Sequence, residues 1–375
     1  MGGDKVMKML NNFLFRYFLN IYSNYARVQH TFLGTHAMAP VRVYLYLTNK
    51  CNCFCSFCDF AANSCKDYIT GLPYKEELSF SDAKNVLDQL PWNAVVTFIG
   101  GEPTLARDFY KTIEYAARIR KVQLITNGTT MNKEKLERLI SYGVWIINFS
   151  VDAPIGEIHD SNRGFDGLLE KIIGSIEEIK RIKQRKGLKE PLIHINSIIL
   201  KESIPHLPDM VRLCARLGVD WLTLTILRDN NGIRDDDGAR EFKGIADYSH
   251  ADLTLLKEKL EEARQIAKEF NIPLHFSEEL KKLDHLIRAN SSEVIKELKD
   301  GLDMSRYGCH APWTSLWVWP NGIASICHIA LGDTRKHRLK DLWQNKMAQD
   351  SRRNLSLGKK ELPQKCQGCC LVFRK

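Results

Sequence analysis

The sequence lacks any apolar run long enough to cross a membrane. The best candidate, residues 13–25, is interrupted by Arg16, Asn20 and Asn24, whereas a spanning helix needs about 20 predominantly apolar residues. Basic stretches interleaved with aromatic side chains, which are typical of nucleic-acid platforms, are also missing, and no signal peptide or low-complexity tract is recognisable. These absences argue against an integral membrane protein and against nucleic-acid binding, and they predict a cytoplasmic protein.

The composition is that of a soluble globular protein. Of 375 residues, 44% are hydrophobic and 26% are charged, which is close to the average for globular chains. The net charge of +9 is uneven, because residues 330–375 contain 12 Lys and Arg against 4 Asp and Glu. Such a basic end could attract an anionic substrate, a lipid surface or an acidic peptide, or it could simply be a solvated surface.

Cysteine is abundant and clustered. Most of the eleven cysteines lie in two groups near the ends of the chain: Cys51, Cys53, Cys55, Cys58 and Cys65, then Cys309, Cys327, Cys366, Cys369 and Cys370. Clustered thiols in a reducing compartment indicate metal ligands rather than disulfides. Cys53, Cys65 and Cys214 fit no ligand spacing, and we expect them to be ordinary thiols.

Short β-rich runs alternate with helical runs from residue 41 to about 276. The predicted strands are 41–47, 94–99, 122–126, 145–151, 192–200 and 221–227, and the helices between them are 81–90, 109–119, 133–142, 168–185 and 204–217. Nearly continuous apolar strands of this kind are typical of parallel sheets buried on both faces. The pattern predicts an α/β protein with an open, partial (β/α)6 barrel, followed by helices at 253–270 and 280–298.

The first predicted strand leads directly into the spacing C-x3-C-x2-C, formed by Cys51, Cys55 and Cys58. Three thiolates on one loop can hold three irons of a [4Fe–4S] cube and leave the fourth iron open to a small molecule. A zinc site would want four ligands, usually in two separated pairs. The loop also stands where strands meet loops, which is the end of such barrels that carries chemistry.

This loop, with Phe57 directly before Cys58, resembles that of the radical S-adenosylmethionine (SAM) superfamily. Three further segments at predicted strand ends resemble the family's SAM-binding motifs: Gly100-Gly101-Glu102-Pro103, Thr126-Asn127-Gly128, and Ser150 with the downstream Arg163. The resemblance implies that SAM chelates the open iron and that Glu102 and the neighbouring strand edge hold its amino group. It also implies that Ser150 and Arg163 bind its ribose or carboxylate, and that the backbone near Phe57 contacts the adenine. Asp152 and His159 are expected only to organise the loop.

A second metal site is indicated near the C-terminus. Cys309, Gly322 and Cys327 form C-x12-G-x4-C, a predicted hairpin, and Cys366 and Cys369 form C-x2-C beside Cys370. The arrangement resembles the SPASM/twitch extension of radical SAM enzymes, which implies an auxiliary [4Fe–4S] cluster bound by Cys309, Cys327, Cys366 and Cys369, with Cys370 as the alternative fourth ligand. A zinc knuckle has an equivalent cysteine spacing and is the alternative interpretation of this site.

We expect three regions: an amphipathic helical extension at 1–40, a partial barrel with a helical linker at 41–304, and an auxiliary-cluster module at 305–375. The extension could pack on the protein or make a peripheral membrane contact. The resemblance implies an oxidoreductase, epimerase or bond-forming enzyme that cleaves SAM and abstracts hydrogen from a substrate carbon, with a flavodoxin or ferredoxin as electron donor.

The substrate is open at this point. Because 1–40 is too short for a leader-binding domain, a small anionic, sugar or lipid-linked metabolite is the first interpretation. A peptide side chain is the alternative, and a non-catalytic iron–sulfur or zinc protein is a remote one.

Overall fold

A computed structural model describes residues 24–26, 28–29, 31–55, 57–58, 77–226, 248–277, 280, 307–327, 329–354 and 372–374. For 307, 308 and 372–374 only the backbone is described. The predicted helix at 280–298, apart from residue 280, and the cysteines Cys65, Cys366, Cys369 and Cys370 lie outside this part. None of the helices in these ranges is long and apolar enough to cross a membrane.

The main sheet begins with seven strands that pair in parallel and in chain order. They are β1 (Arg42–Tyr46), β2 (Val95–Ile99), β3 (Lys121–Thr126), β4 (Ile146–Ser150), β5 (Leu192–Ile199), β6 (Trp221–Ile226) and β7 (Leu274–Phe276). The first six match the predicted strands to within a residue or two, which confirms the partial barrel. The sequence pattern missed β7, because three residues are too few to show a period.

Helices follow the strands, as a βα architecture requires. They are α1 (Phe80–Asp88), α2 (Phe109–Ile119), α3 (Lys133–Ser141), α4 (Gly156–Arg163), α5 (Leu168–Lys186), α6 (Leu207–Leu217) and α7 (His250–Glu269). Side-chain caps define several of their starts, for example at Ser79 and Asn132. Gly218 ends α6 in the left-handed conformation with φ of +66°, which glycine adopts more readily than other residues at helix ends.

The two faces of the sheet differ in chemistry. One face packs aliphatic and aromatic residues, such as Leu45, Phe98 and Leu124, into the core shared with the helices. The other face, which we call the inner face, carries polar and aromatic residues: the register partners Tyr44, Thr97 and Gln123 on β1 to β3, and the register partners Asn148 and His194 on β4 and β5. The inner face is therefore the side of the barrel suited to polar ligands.

The C-terminal region extends the same sheet. Strand β9 (Ser315–Val318) pairs in parallel with β1, and an antiparallel hairpin continues through β10 (Ile323–Ile326) and β11 (Ile329–Asp333). Around it lie the backbone pair of β8 (Tyr307–Cys309) with β12 (Val372–Arg374) and the helices α8 (Ala311–Thr314), α9 (Leu339–Gln344) and α10 (Lys346–Asn354). The hairpin at Gly322 is as the spacing predicts.

The region before β1 is fastened to this C-terminal part. Arg352 is fully buried and donates to three carbonyl oxygens, those of Thr35, Pro312 and Trp343, at 3.1, 2.9 and 2.8 Å. Gln29 adds a hydrogen bond to the Trp313 carbonyl at 3.2 Å. These contacts hold residues 29–38 against the segment that follows Cys309.

Candidate functional site

The cysteine loop directly follows β1, at the carboxyl end of the parallel sheet. Cys53 and Cys55 are buried, while Cys51 and Cys58 are half-buried. The Cys53 N–H lies 3.5 Å from Cys51 Sγ, and the Cys58 N–H donates to the Cys55 carbonyl at 3.3 Å. The loop is thus a compact turn that brings its thiols close together.

The pKa of Cys53 is shifted in the opposite direction from those of Cys51 and Cys55, the two motif cysteines that flank it. A hydrogen bond from its thiol lowers the pKa of Cys51 to about 7 and also lowers the pKa of Cys55, while the same contacts raise the pKa of Cys53. The thiolate is the form that binds metal, and Cys51 and Cys55 are the two of these three cysteines whose pKa is lowered. Cys53, whose pKa these contacts raise, is the cysteine that lies outside the ligand spacing.

Three thiols on one short loop are the donor set of a [4Fe–4S] cluster with one open iron. Within the described ranges, no three His, Cys, Asp or Glu side chains converge on a point that one metal ion could occupy. In a [4Fe–4S] cube each cysteine binds a different iron, so its ligands need not converge in that way. The donor set Cys51, Cys55 and Cys58 therefore fits the group that the sequence predicts.

The Gly100–Gly101 turn at the end of β2 is docked on the start of this loop. The Gly101 N–H donates to the Thr48 carbonyl at 3.0 Å, and the Glu102 N–H donates to the Lys50 carbonyl at 2.8 Å. A Cβ on Gly100, whose φ is +147°, would lie 2.4 Å from the Thr48 oxygen. Only glycine allows this approach, so the turn sets the position of the segment that leads into Cys51.

The Glu102 carboxylate is turned into the protein. It is fully buried and accepts hydrogen bonds from the hydroxyls of Thr104 and Thr126 at 2.5 and 2.9 Å and from the Asn127 N–H at 2.8 Å. Burial raises its pKa, although these donors oppose the rise. Pro103 opens the short 3₁₀ turn that follows. The described contacts make Glu102 a link between β2 and β3, a role that the motif alone did not reveal.

The Asn127 side chain faces the cysteine loop. Its Oδ1 accepts from the N–H and the hydroxyl of Thr129 at 2.9 and 2.7 Å. Its Nδ2 then points at Cys53 Sγ and Asn52 Oδ1, both at 3.2 Å, and at Cys51 Sγ at 3.7 Å. The sequence motif includes Asn127 but gives no sign of Asn52 and Thr129, which complete this network.

The segment after β4 brings Asp152 and Arg163 together beside the cysteine loop. Ser150 is half-buried at the last position of the strand. Arg163, at the end of α4, forms a bidentate ion pair with Asp152 through Nε and Nη2, at 2.6 and 2.9 Å, and both side chains are almost entirely buried. Burial opposes the charge of Arg163, but Asp152 and the Cys55 thiolate raise its pKa overall.

The remaining nitrogen of Arg163 reaches the cysteine loop. Nη1 lies 3.8 Å from Cys55 Sγ, and the Arg163 carbonyl accepts from the Phe54 N–H at 2.8 Å. The guanidinium also stands over the Phe57 ring at 5.1 Å. Asp152, which the sequence predicts only to organise the loop, is therefore the main partner of Arg163, which the sequence predicts to bind SAM.

His159 supports the same corner. Its Nδ1 accepts from the Asp152 N–H at 3.1 Å, and burial lowers its pKa to about 4. A neutral imidazole at this position is consistent with the organising role that the sequence suggests.

The two described cysteines of the second site lie at the ends of strands that belong to different sheets. Cys309 is buried at the end of β8, and Cys327 is half-buried directly after β10. The Ser325 hydroxyl, itself bonded by Trp319 Nε1 at 2.8 Å, donates to the Cys327 carbonyl at 2.7 Å. Trp319 stacks on Tyr46 of β1, with ring centroids 4.5 Å apart. Residues 366–370 lie outside the described part.

Cys214 belongs to the core. It is fully buried on α6, and burial raises the pKa of its thiol. This is the inert behaviour that we expected.

Comparison with known proteins gives the same two-part picture. The model of the radical SAM superfamily matches residues 45–214, and that of the SPASM iron–sulfur cluster-binding domain matches residues 309–370. The chain is 30% identical over 175 residues to an AdoMet-dependent heme synthase of Oleidesulfovibrio alaskensis, an alignment that covers 46% of this chain and 42% of the relative. It is also 30% identical over 182 residues to the sporulation killing factor maturation protein SkfB of Bacillus subtilis, covering 48% and 40% of the two chains.

The fold comparison extends further along the chain. The structure of Streptococcus suis SuiB bound to the precursor peptide SuiA superposes with a TM-score of 0.64 at 16% identity, covering 91% of this chain and 72% of SuiB. In sequence, by contrast, the chain aligns with less than half the length of the two curated relatives named above. The chain belongs to the radical SAM superfamily and carries a C-terminal SPASM iron–sulfur cluster-binding domain.

Proposed function

We propose that this protein cleaves SAM reductively at a cluster held by Cys51, Cys55 and Cys58 and abstracts a hydrogen atom from a peptide substrate. One observation carries the proposal: the cysteine loop is surrounded by the Gly100–Gly101 turn, Asn127 and Arg163, which come from the ends of three successive parallel strands or the helix that follows. An electron carrier has no need for such a ring of ligand-binding groups.

The chain's own residues bind and orient the reactants. When bound, the cluster and SAM together supply an electron and a 5′-deoxyadenosyl radical. The glycine edge of β2 offers backbone groups to the SAM amino group, since the Glu102 carboxylate is occupied by protein donors. Ser150 and Arg163 are proposed to contact the ribose or carboxylate, and the backbone near Phe57 the adenine.

The auxiliary cluster is proposed to be bound by Cys309, Cys327, Cys366 and Cys369, with Cys370 as the alternative fourth ligand. Parallel pairing of β9 with β1 supports this, because it joins the strand that leads to the SAM cluster with the hairpin that leads to Cys327. The electron donor is proposed to be a flavodoxin or ferredoxin.

A peptide is favoured over the metabolite that the sequence first suggested. One relative matures a peptide killing factor, and the fold resembles that of a protein seen bound to its precursor peptide. The inner face also presents stacked aromatic pairs, Tyr44 with Trp317 and Tyr46 with Trp319, beside the polar Thr97, which is the register partner of Tyr44. Such a mixed surface can hold an extended peptide by both apolar contact and hydrogen bonds.

The test is anaerobic reconstitution with iron, sulfide, SAM and dithionite, followed by quantification of 5′-deoxyadenosine. Three candidate substrates are supplied in separate reactions: a pool of synthetic peptides, a set of UDP-sugars, and Fe-coproporphyrin. Products are sought by mass spectrometry. We expect 5′-deoxyadenosine in every loaded sample and an altered mass only in the peptide reaction. An altered sugar would return the metabolite interpretation to first place, and absence of 5′-deoxyadenosine would contradict the proposed chemistry.

A further inference from the structure

Two polar side chains from different secondary-structure elements lie beside the cysteine loop, and hydrogen bonds to other residues fix the position of each. Asn127 comes from the end of β3, and Arg163 comes from the end of α4. Neither contact can be read from the ligand spacing, because it depends on which strand end lies beside the loop.

The Asn127 amide has a defined orientation. Its oxygen accepts from the Thr129 N–H at 2.9 Å, and the Thr129 hydroxyl lies 2.7 Å from the same oxygen and 3.0 Å from Asn52 Oδ1. The NH₂ group must therefore be the end that faces Cys51 and Cys53. The Nδ2 distance of 3.7 Å to Cys51 Sγ is within reach of an N–H···S hydrogen bond.

Arg163 is held as firmly. The bidentate pair with Asp152 uses Nε and Nη2, and the Asp152 carboxylate is itself fixed by the Ile198 N–H at 3.0 Å. Only Nη1 is directed at Cys55 Sγ, at 3.8 Å. A guanidinium this deeply buried acts on a nearby sulfur with little screening by water.

We propose that Asn127 and Arg163 are positioning residues that raise the reduction potential of the cluster bound by Cys51, Cys55 and Cys58. This inference rests on the proposed function. Reduction adds negative charge that spreads onto the ligand sulfurs, so hydrogen bonds and positive charge at those sulfurs stabilise the reduced form. The sequence motifs predict that both residues bind SAM, whereas the proposed effect on the reduction potential is present even when SAM is not bound.

The experiment is an EPR-monitored redox titration of the reconstituted full-length protein in the absence of SAM. Addition of SAM to a parallel sample identifies the signal of the open-iron cluster, because only that signal should change. Asn127→Ala and Arg163→Gln are each expected to lower the equilibrium constant for one-electron reduction about tenfold, which is a midpoint about 59 mV more negative. Arg163→Lys, which keeps the charge, should lie closer to wild type than Arg163→Gln.

Asn132→Ala is the matched control. Asn132 caps α3 by accepting from the Lys135 N–H, so its loss should reduce stability without changing the midpoint. If Arg163→Gln folds poorly, the double variant Asp152→Asn/Arg163→Gln replaces it in the titration, because it leaves no unpaired buried charge. It too should have a more negative midpoint.

The outcomes separate the two claims. Variants that hold a SAM-responsive cluster at the wild-type midpoint would overturn the inference and leave the proposed function intact. A wild-type protein that assembles no SAM-responsive cluster would overturn both.

Discussion

Gly101→Ala is the most decisive single change that the structure offers at the site. A Cβ at this position would lie 2.2 Å from the Lys50 oxygen, 2.6 Å from its carbonyl carbon and 2.7 Å from the Asn49 oxygen. All three are backbone atoms, so a side-chain rotation cannot relieve the clash. The segment that leads into the cysteine loop has to move by roughly 1 Å to reach ordinary contact distance.

The magnitude follows from what this movement breaks. The Gly101 N–H bond to Thr48 and the Glu102 N–H bond to Lys50 contribute about 0.5–1.5 kcal/mol each. Strain from overpacking adds about 1–3 kcal/mol. We therefore expect Gly101→Ala to lower the free energy of unfolding by about 4 kcal/mol and to reduce iron incorporation, because the turn no longer supports the loop.

Urea unfolding followed by circular dichroism measures the first effect, and iron content after reconstitution measures the second. Gly143→Ala and Gly156→Ala are matched controls, since a Cβ at either position meets no atom within 4 Å. Gly143 has φ of +79°, so its alanine variant should lose about 1 kcal/mol from backbone strain alone. Gly156→Ala should be neutral or slightly stabilising. If Gly101→Ala were no more destabilised than Gly143→Ala, the close approach described here would be wrong.

Three further outcomes are expected. Cys53→Ala should retain full iron content and SAM cleavage, whereas Cys55→Ala should lose about four irons per chain; an iron-poor Cys53→Ala protein would contradict the assignment. Burial lowers the pKa of His194 to about 3. Below pH 6.5 this histidine is therefore protonated in the unfolded chain but still neutral in the native protein, so the free energy of unfolding falls as the pH drops. His194→Gln should therefore flatten the dependence of unfolding free energy on pH between 6.5 and 4 by up to about 1.4 kcal/mol per unit, and an unchanged slope would refute this. Arg352→Met should lower stability by about 3 kcal/mol, because three carbonyls, two of them in buried contacts, lose a charged donor. It should also speed proteolytic cleavage near residues 31–38, and equal cleavage rates would argue against the attachment of this segment through Arg352.

Local patterns were enough to determine the barrel. The strands from β1 to β6 could be predicted because buried parallel strands are nearly continuous in apolar residues, and helix ends such as Gly218 carry their own signal. The ligand spacing of Cys51, Cys55 and Cys58 is equally local, since all three lie on one short loop. These features depend on neighbours in the chain, and the sequence displays such neighbours directly.

The environment of the ligands was decided by the tertiary structure. Pairing of β9 with β1, the bidentate contact of Arg163 with Asp152, and the approach of Asn127 to the cysteine loop all join residues distant in sequence. Their geometry depends on strand register and on how each loop leaves the sheet, which no local pattern encodes. The sequence by itself predicts which cysteines bind a cluster, whereas the fold decided which donors surround their sulfurs, because that requires separate strand ends to meet at one edge of the sheet.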